Sequence, residues 1–209
     1  MDLLRAHGSA NKMRCVSSTG VLNIFCFLGI GIMSCGHGFA EEPRRSVGLI
    51  DLQGRTYPPF SEPAAKFYAY IFVRTDCPVA NSTAPEIIRL HEEFGPRGVA
   101  FRLVYPDPDD SRSAIEKHVR EFGYGCPVLR DPQHRFAKAS RVRVTPEAAL
   151  YRADGTLLYH GRIDNRYVDF GKARARATRR DLAQALTDAL AGKAVTPADG
   201  PAVGCFIDG

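Results

Sequence analysis

One segment constrains the fold more than any other: an apolar run that stops at a cysteine and is followed by a helical pattern. The run Tyr68–Val73 is rich in aromatic and β-branched residues and has the length of a buried strand. It ends in Arg74–Pro78 (RTDCP), and apolar residues then recur at helical spacing over Ser82–Phe94. Because proline suits the first turn of a helix, the sequence places Cys77 at a helix N-terminus directly after a central strand.

Strand and helix patterns continue to alternate after this segment. The predicted elements are, in order, strand Val99–Val104, helix Ser111–Phe122, strand Pro127–Arg130, short helix His134–Arg141, strands Ala148–Arg152 and Thr156–Gly161, and helix Arg179–Ala191. The last two strands flank Asp154-Gly155, which is a strong hairpin signal. Strands that alternate with helices form parallel sheets, so this order predicts an α/β sandwich that ends in a hairpin and a helix.

The first forty residues have the layout of a secretory signal. Basic residues precede the apolar run Val21–Met33, and small residues lead up to Ala40. As a helix the run would rise only about 20 Å, less than the roughly 30 Å of a hydrocarbon core, which disfavours a permanent anchor. We predict cleavage after Ala40 and export to the periplasm or another extracytoplasmic compartment. The alternatives are a membrane-anchored lipoprotein with its lipid anchor at Cys35, and an uncleaved apolar N-terminus.

The rest of the sequence predicts one globular domain. We place the signal at residues 1–40, the domain at 41–195 and a tail that carries Cys205 at 196–209. A content of 44% hydrophobic and 24% charged residues can bury a core. The net charge of +5 falls to +3 when Asp2, Arg5, Lys12 and Arg14 leave with the signal, which is too mild to predict binding to nucleic acid. The sequence shows no phosphate-binding glycine loop, paired catalytic carboxylates or serine nucleophile motif, so we expect no cofactor and no bound metal.

Cysteine usage points to thiol chemistry. Removal of the first forty residues leaves Cys77, Cys126 and Cys205. An odd number means that at least one thiol is unpaired or pairs between molecules. A free cysteine in an exported protein meets an oxidising environment, where it is more often reactive than in the cytosol.

Four motifs carry a resemblance to a known superfamily: TDCPVAN after the first long strand, PVLRDP in the middle, VTP before the hairpin and ADGTLLYHGRID through it. Together with the element order they resemble the thioredoxin-like redoxins over roughly residues 47–191. The nearest branch is the one that holds TlpA- and ResA-type thiol-disulfide oxidoreductases and peroxiredoxin-like (AhpC/TSA) proteins. The resemblance implies an α/β thioredoxin-like fold, with a central mixed β-sheet flanked by helices and an inserted αβ unit.

The resemblance also implies a site. Cys77 would be the nucleophile and Pro146 a cis-proline that faces it, and the residues that line the site would be Arg74, Thr75, Asp76, Pro78 and Thr145. Independently, unpaired N–H groups at a helix N-terminus favour a thiolate over a thiol at Cys77. An inert buried Cys77 and a trans Pro146 are the alternatives.

The sequence departs from both branches of the family. A dithiol oxidoreductase carries Cys-x-x-Cys, but the fourth position of this motif is Ala80. A peroxiredoxin carries threonine three residues before its cysteine and an arginine over the site, and these positions hold Arg74 and Pro146. We read Arg74 as a partner of the thiolate or as a solvent-facing strand end. We expect Asp76 to oppose the helix dipole at Cys77, and Asn81 to serve the first helical turn.

Without that second motif cysteine, the candidates to resolve the intermediate are Cys126 and Cys205. Cys77 follows the end of its strand, whereas Cys126 precedes the start of another. If these strands are parallel, the two cysteines lie at opposite sheet edges, at least about 13 Å apart, while a disulfide needs Cα atoms within about 7 Å. Cys126 is therefore predicted to be structural, and Cys205, in a tail that can fold back, is the better resolving candidate. A Cys126–Cys205 disulfide and an unpaired Cys205 remain alternatives.

These features predict an extracytoplasmic thiol-disulfide oxidoreductase with Cys77 as nucleophile. Its partner would be a redox partner protein, a small thiol or disulfide, or a peroxide. A peroxiredoxin-like thiol peroxidase is the first alternative. The second is a non-catalytic thioredoxin-fold binding or copper-handling protein, which Asn81 disfavours because copper handling in this fold would need a second cysteine there. His160 is read as a partly exposed strand residue and not as a ligand.

Overall fold

The computed structural model describes residues 48–207. The predicted signal, its cleavage at Ala40 and the lipid anchor at Cys35 lie outside the described residues. Within them, no helix combines the length and the apolar character needed to cross a membrane.

A seven-stranded mixed sheet forms the centre of the fold. The strands of the described chain are β1 (Leu49–Asp51), β2 (Thr56–Tyr57), β3 (Phe67–Phe72), β4 (Val99–Tyr105), β5 (Val128–Arg130), β6 (Val144–Thr145), β7 (Glu147–Arg152), β8 (Leu157–Gly161), β9 (Tyr167–Asp169), β10 (Lys172–Ala173) and β11 (Cys205–Phe206). The helices are α1 (Pro78–Phe94), α2 (Arg112–Phe122), α3 (Arg135–Ala139) and α4 (Asp181–Leu190). The sheet has the order β2-β1-β5-β4-β3-β7-β8; β3, β4 and β5 are parallel, and the other neighbours are antiparallel. This is the predicted thioredoxin-like α/β fold.

The sheet separates two layers because successive side chains of a strand point to opposite faces. On β3, Ala69 and Ile71 face a core formed with α1, α2 and α4. Tyr68, Tyr70 and Phe72 alternate with them and pack in a second core that includes Phe136 and Ala137 of α3. Both faces of β3 are therefore covered, which explains why its sequence is apolar throughout.

Helix α1 begins at Pro78, in the first turn that the sequence predicts for this proline. Cys77 is its N-cap residue, with extended backbone angles of φ −81 and ψ 110. Proline fits this position because its missing N–H would have no partner in the first turn. The reactive-cysteine candidate is thus held at the point where a central strand gives way to a helix.

Several short strands carried no sequence signal. The hairpin at Asp154-Gly155 joins β7 and β8 as predicted, but β1 and β2 extend the far edge of the sheet and β9 pairs with β10. Strand β11, in the tail, pairs with β6. Elements of two or three residues are too short for a hydrophobic period to mark them.

Candidate active site

The thiol of Cys77 is buried under the strand that precedes the hairpin. Its side chain has 0% exposure. The sulfur donates a hydrogen bond to the carbonyl oxygen of Thr145 at 3.0 Å and accepts one from the backbone N–H of Ala80 at 3.5 Å. The second contact uses a free N–H of the first helical turn, which is the type of donor that stabilises a thiolate.

The peptide bond between Thr145 and Pro146 is cis, the isomer that the resemblance implies. The carbonyl oxygen of Thr145 in this peptide bond faces Cys77 and accepts the hydrogen bond of its thiol. Thr145 also lies opposite Cys205 in the antiparallel pairing of β6 with β11, and the N–H of Ile207 donates to the carbonyl of Arg143 at 2.9 Å. The structure therefore brings Cys77, Thr145, Pro146 and Cys205 together.

Cys205 is half-buried, and its environment opposes ionisation. Desolvation, followed by the hydrogen bond and charge of the neighbouring Cys77 side chain, raises the pKa of Cys205 to about 12. The positive charge of Arg74 lowers this pKa, and the negative charge of Asp76 raises it. Both thiols are free in the structure. The surroundings of Cys205 therefore favour its protonated form.

Arg74 lies beside the tail and is not a solvent-facing strand end. Its side chain is 22% exposed and forms ion pairs with Asp107 at 2.6 Å and Asp76 at 3.2 Å. It also approaches the carbonyl of Phe206 at 3.5 Å. Asp76 is largely exposed, pairs with Arg74, and its negative charge acts on Cys205 and Asp110. Pro78, the remaining predicted lining residue, is exposed at the start of α1.

The loop before Cys77 is held by a buried carboxylate that the sequence did not single out. The hydroxyl and the backbone N–H of Thr75 both donate to Asp110, the latter at 3.4 Å. Desolvation raises the pKa of Asp110 although these hydrogen bonds lower it. A carboxylate at this place fixes the backbone two residues before the nucleophile candidate.

A second set of contacts joins the same loop to helices α1 and α2. The amide of Asn81 donates to the carbonyl of Thr75 at 3.2 Å and accepts from Nε2 of His118 at 2.8 Å. Nδ1 of His118 lies 2.8 Å from the hydroxyl of Tyr105. Burial lowers the pKa of His118, which favours the neutral ring that this chain of contacts requires. Asn81, in the first turn of α1, therefore bridges the loop before Cys77 and α2.

Cys126 lies just before strand β5, whereas Cys77 follows strand β3. It is buried in the core that contains Cys77, and burial raises its pKa to about 11. Strand β5 is parallel to β3, and Val128 lies level with Leu103, which pairs with Ile71. Because Cys126 precedes Val128 and Cys77 follows the end of β3, the two cysteines lie toward opposite ends of the parallel strands.

A protein-family model identifies the family of this chain. The model of the AhpC/TSA family matches residues 52–162, which is more than half of the chain. The chain belongs to the AhpC/TSA family. No curated protein matches the sequence.

Solved structures share the fold of this AhpC/TSA protein. A hypothetical protein from Sinorhizobium meliloti 1021 is 25% identical with a TM-score of 0.66, over 77% of this chain and 88% of that one. An uncharacterized conserved protein from Geobacillus kaustophilus is 23% identical with a TM-score of 0.64, over 78% and 87%. A secreted Mycobacterium tuberculosis disulfide oxidoreductase homologous to E. coli DsbE is 19% identical with a TM-score of 0.51, over 71% and 98%. The AhpC/TSA protein is thus a thioredoxin-like redoxin.

A groove opens beside Cys205 of the AhpC/TSA protein. It has a volume of about 950 Å³ and runs between the tail and the edge formed by β6, β7 and β8, with Cys205 in its wall. Phe170 and Phe206 line it and are 61% and 72% exposed. Glu147 lies in its floor and accepts hydrogen bonds from the N–H groups of Arg143 and Val144 at 2.9 and 3.3 Å. An apolar surface therefore adjoins Cys205.

A metal centre receives no support from the described residues. Within residues 48–207, no group of three or more histidine, cysteine or acidic side chains is arranged to hold a metal ion. His160 is exposed on β8, with Nδ1 3.9 Å from the Glu147 carboxylate.

Proposed function

We propose that this protein is an extracytoplasmic thiol-disulfide oxidoreductase that uses Cys77 as nucleophile and Cys205 as resolving cysteine. The observation that carries the proposal is the position of Cys205 in β11, opposite Thr145, whose carbonyl oxygen accepts the hydrogen bond of the Cys77 thiol. The two cysteines are 128 positions apart in the chain. The second thiol that Ala80 removes from the motif is supplied by the tail. The predicted signal, outside the described residues, supports a compartment where disulfides persist.

The reaction begins when the Cys77 thiolate attacks one sulfur of a substrate disulfide. The substrate S–S bond breaks, one substrate thiolate leaves and takes up a proton, and a mixed disulfide forms on Cys77. The sulfur of Cys205 then gives up its proton and attacks Cys77 Sγ, which releases the second substrate thiol. The products are two substrate thiols and a Cys77–Cys205 disulfide, and the reverse sequence oxidises a substrate dithiol.

The environment divides these roles between the two cysteines. Cys77 accepts the N–H of Ala80 at a helix N-terminus, an arrangement that stabilises negative charge on sulfur. Cys205, whose pKa is raised to about 12, keeps its proton until the mixed disulfide has formed and the interaction with the free Cys77 thiol is gone. A thiol that ionises late suits the second attack and not the first.

Disulfide mapping and trapping test this proposal. Mass spectrometry of the oxidised protein should show one intramolecular disulfide, Cys77–Cys205, with Cys126 free. The Cys205→Ser variant should accumulate a mixed disulfide on Cys77 when it meets oxidised glutathione, and Cys126→Ser, the matched control, should behave like the wild type. A Cys126–Cys205 bond, or no adduct on Cys77, would contradict the assignment.

Thiol peroxidase activity is the second candidate, because the chain belongs to the AhpC/TSA family. Attack of Cys77 on a peroxide would give a sulfenic acid and an alcohol or water, and condensation with Cys205 would give the same disulfide and water. The ion pairs of Arg74 with Asp107 and Asp76 disfavour this route, since they neutralise the positive charge that acts on Cys205. Peroxide consumption with an external thiol reductant distinguishes the two candidates.

A further inference from the structure

The tail lies where an extended polypeptide would pair with the site. Strand β11 places Cys205 opposite Thr145 and Phe206 opposite Val144, and Ile207 extends the pairing to the carbonyl of Arg143. Addition of a strand to a free edge is a common way in which proteins bind extended peptides. In this protein the edge next to Cys77 is already occupied by the chain itself.

We infer that residues 203–207 are a built-in competitor that determines substrate size: while they are docked, the site reacts with small disulfides in preference to extended polypeptides. This inference rests on the proposed thiol-exchange function of Cys77. It assigns to the tail a second role besides the supply of the Cys205 thiol.

The docked tail leaves the nucleophile buried. Cys77 has 0% exposure in the docked arrangement, and its thiol is engaged with Thr145 and neighbours Cys205. A small disulfide needs only a local movement of Cys205 to reach Cys77 Sγ. A polypeptide that also pairs with Val144 and Thr145 needs the whole of β11 to leave.

Gly204 lies in close contact with the backbone of Thr145. A Cβ atom added at this glycine would overlap the carbonyl oxygen of Thr145, the same oxygen that accepts the Cys77 thiol hydrogen bond. Glycine allows the two backbones to approach this closely. The tail is therefore shaped to lie against the segment that precedes Pro146, and a side chain at position 204 would force it away.

Strand β11 is held only weakly against β6. Strand β11 has two residues, and its Phe206 is 72% exposed and stabilises the contact little. Short, exposed elements open at low free-energy cost, so a competing polypeptide can displace this one. If the tail is docked most of the time, the apparent reactivity toward polypeptides falls in proportion to the undocked fraction.

Two probes with the same leaving group separate the substrate classes. One is 5,5′-dithiobis(2-nitrobenzoic acid). The other is a cysteine peptide of about ten residues, long enough to pair as a strand, joined to thionitrobenzoate by a disulfide. Reactions are followed by thionitrobenzoate release in a Cys205→Ser background, with mass spectrometry to locate the adduct on Cys77. The variants are Gly204→Val and Ile207→Pro, which removes the N–H that donates to Arg143.

The matched control is Gly125→Ala, because a Cβ there meets nothing closer than 3.7 Å. We expect both tail variants to raise the peptide rate about tenfold while the small-probe rate changes less than about threefold, in line with a larger undocked fraction. Gly125→Ala should change neither. Equal acceleration of both probes, or none, would overturn the inference about the tail. Failure of both probes to react at Cys77 in every variant would refute the thiol-exchange function itself.

Discussion

The carbonyl oxygen of Thr145 accepts the hydrogen bond of the Cys77 thiol, and the same residue lies opposite Cys205 in the β6–β11 pairing. One backbone segment therefore positions both thiols. Strand β6 contacts the thiol at the start of α1 through the Thr145 carbonyl, and it pairs with the tail through β11. The site is assembled by main-chain contacts across three distant parts of the chain.

The side chain of Thr145 gives a stability prediction. Its hydroxyl is buried and, within the described residues, has no hydrogen-bond partner. Burial of an unpaired hydroxyl costs about 1–3 kcal/mol, so Thr145→Val should leave the free energy of unfolding unchanged or raise it by about 1 kcal/mol. Urea unfolding of the reduced protein measures the change. A loss of more than about 1 kcal/mol would show that the hydroxyl has a partner in solution.

Removal of Cys77 should make Cys205 more reactive at mildly alkaline pH. The hydrogen bond and charge of Cys77 help to raise the pKa of Cys205 to about 12, and Cys77→Ala removes both. The pKa of Cys205 then falls, and each unit of fall raises the thiolate fraction about tenfold at pH values below it. Iodoacetamide labelling from pH 8 to 11, with the site located by mass spectrometry, tests this. An unchanged pH profile would mean that the two thiols do not interact.

Arg74 and Asp76 should shift the same titration in opposite directions. Arg74 lowers the pKa of Cys205 and Asp76 raises it. In the Cys77→Ala background, Arg74→Gln should slow the labelling of Cys205 at pH 8 and Asp76→Asn should accelerate it, each by roughly two- to tenfold. The two variants are matched controls for each other, because each breaks the Arg74–Asp76 ion pair. Shifts of the same sign would indicate a general rearrangement of the loop.

The sequence predicted the parts of the site that depend on local chemistry. A buried strand followed by Cys77-Pro78 places the thiol at a helix N-terminus, and the Asp154-Gly155 turn places the hairpin that follows Pro146. These features depend on neighbours in the chain, so residue type and spacing are sufficient to find them.

The other parts depend on contacts between distant residues. The β11–β6 pairing joins Cys205 to Thr145 through two-residue strands that have no hydrophobic period. Asn81 meets His118 across 37 positions, and the motif that ends at Asn81 carries no signal for a partner so far along the chain. The resolving role predicted for Cys205 remains a prediction, although the structure places its thiol beside Cys77.

Asn81 should stabilise the loop before Cys77. Its amide satisfies the carbonyl of Thr75 and Nε2 of His118. Asn81→Ala leaves both groups without this partner, and the expected loss is about 1–3 kcal/mol in the free energy of unfolding. Urea unfolding measures it, with Gln53→Ala, at an exposed turn, as the control that should change stability by less than about 0.5 kcal/mol. Equal stability of Asn81→Ala and wild type would show that water replaces the amide.

His118 should make the fold less stable in mild acid. Burial lowers the pKa of His118, although the charges of Asp110 and Glu121 raise it in part. The unfolded chain therefore binds a proton at higher pH than the folded chain does, and stability falls as the pH drops below about 6.5, the ordinary value for histidine. The raised pKa of Asp110 has the opposite sign, since its contribution is lost as the pH rises through the folded-state value.

Comparison with His118→Gln separates these two contributions, because the variant keeps a neutral polar side chain and leaves Asp110 in place. Between pH 7 and pH 5, the free energy of unfolding should fall more steeply in the wild type than in the variant. Urea unfolding at several pH values measures both slopes. Parallel slopes would mean that His118 titrates alike in the folded and unfolded chains, and the Tyr105–His118–Asn81 contacts would then not depend on a neutral ring.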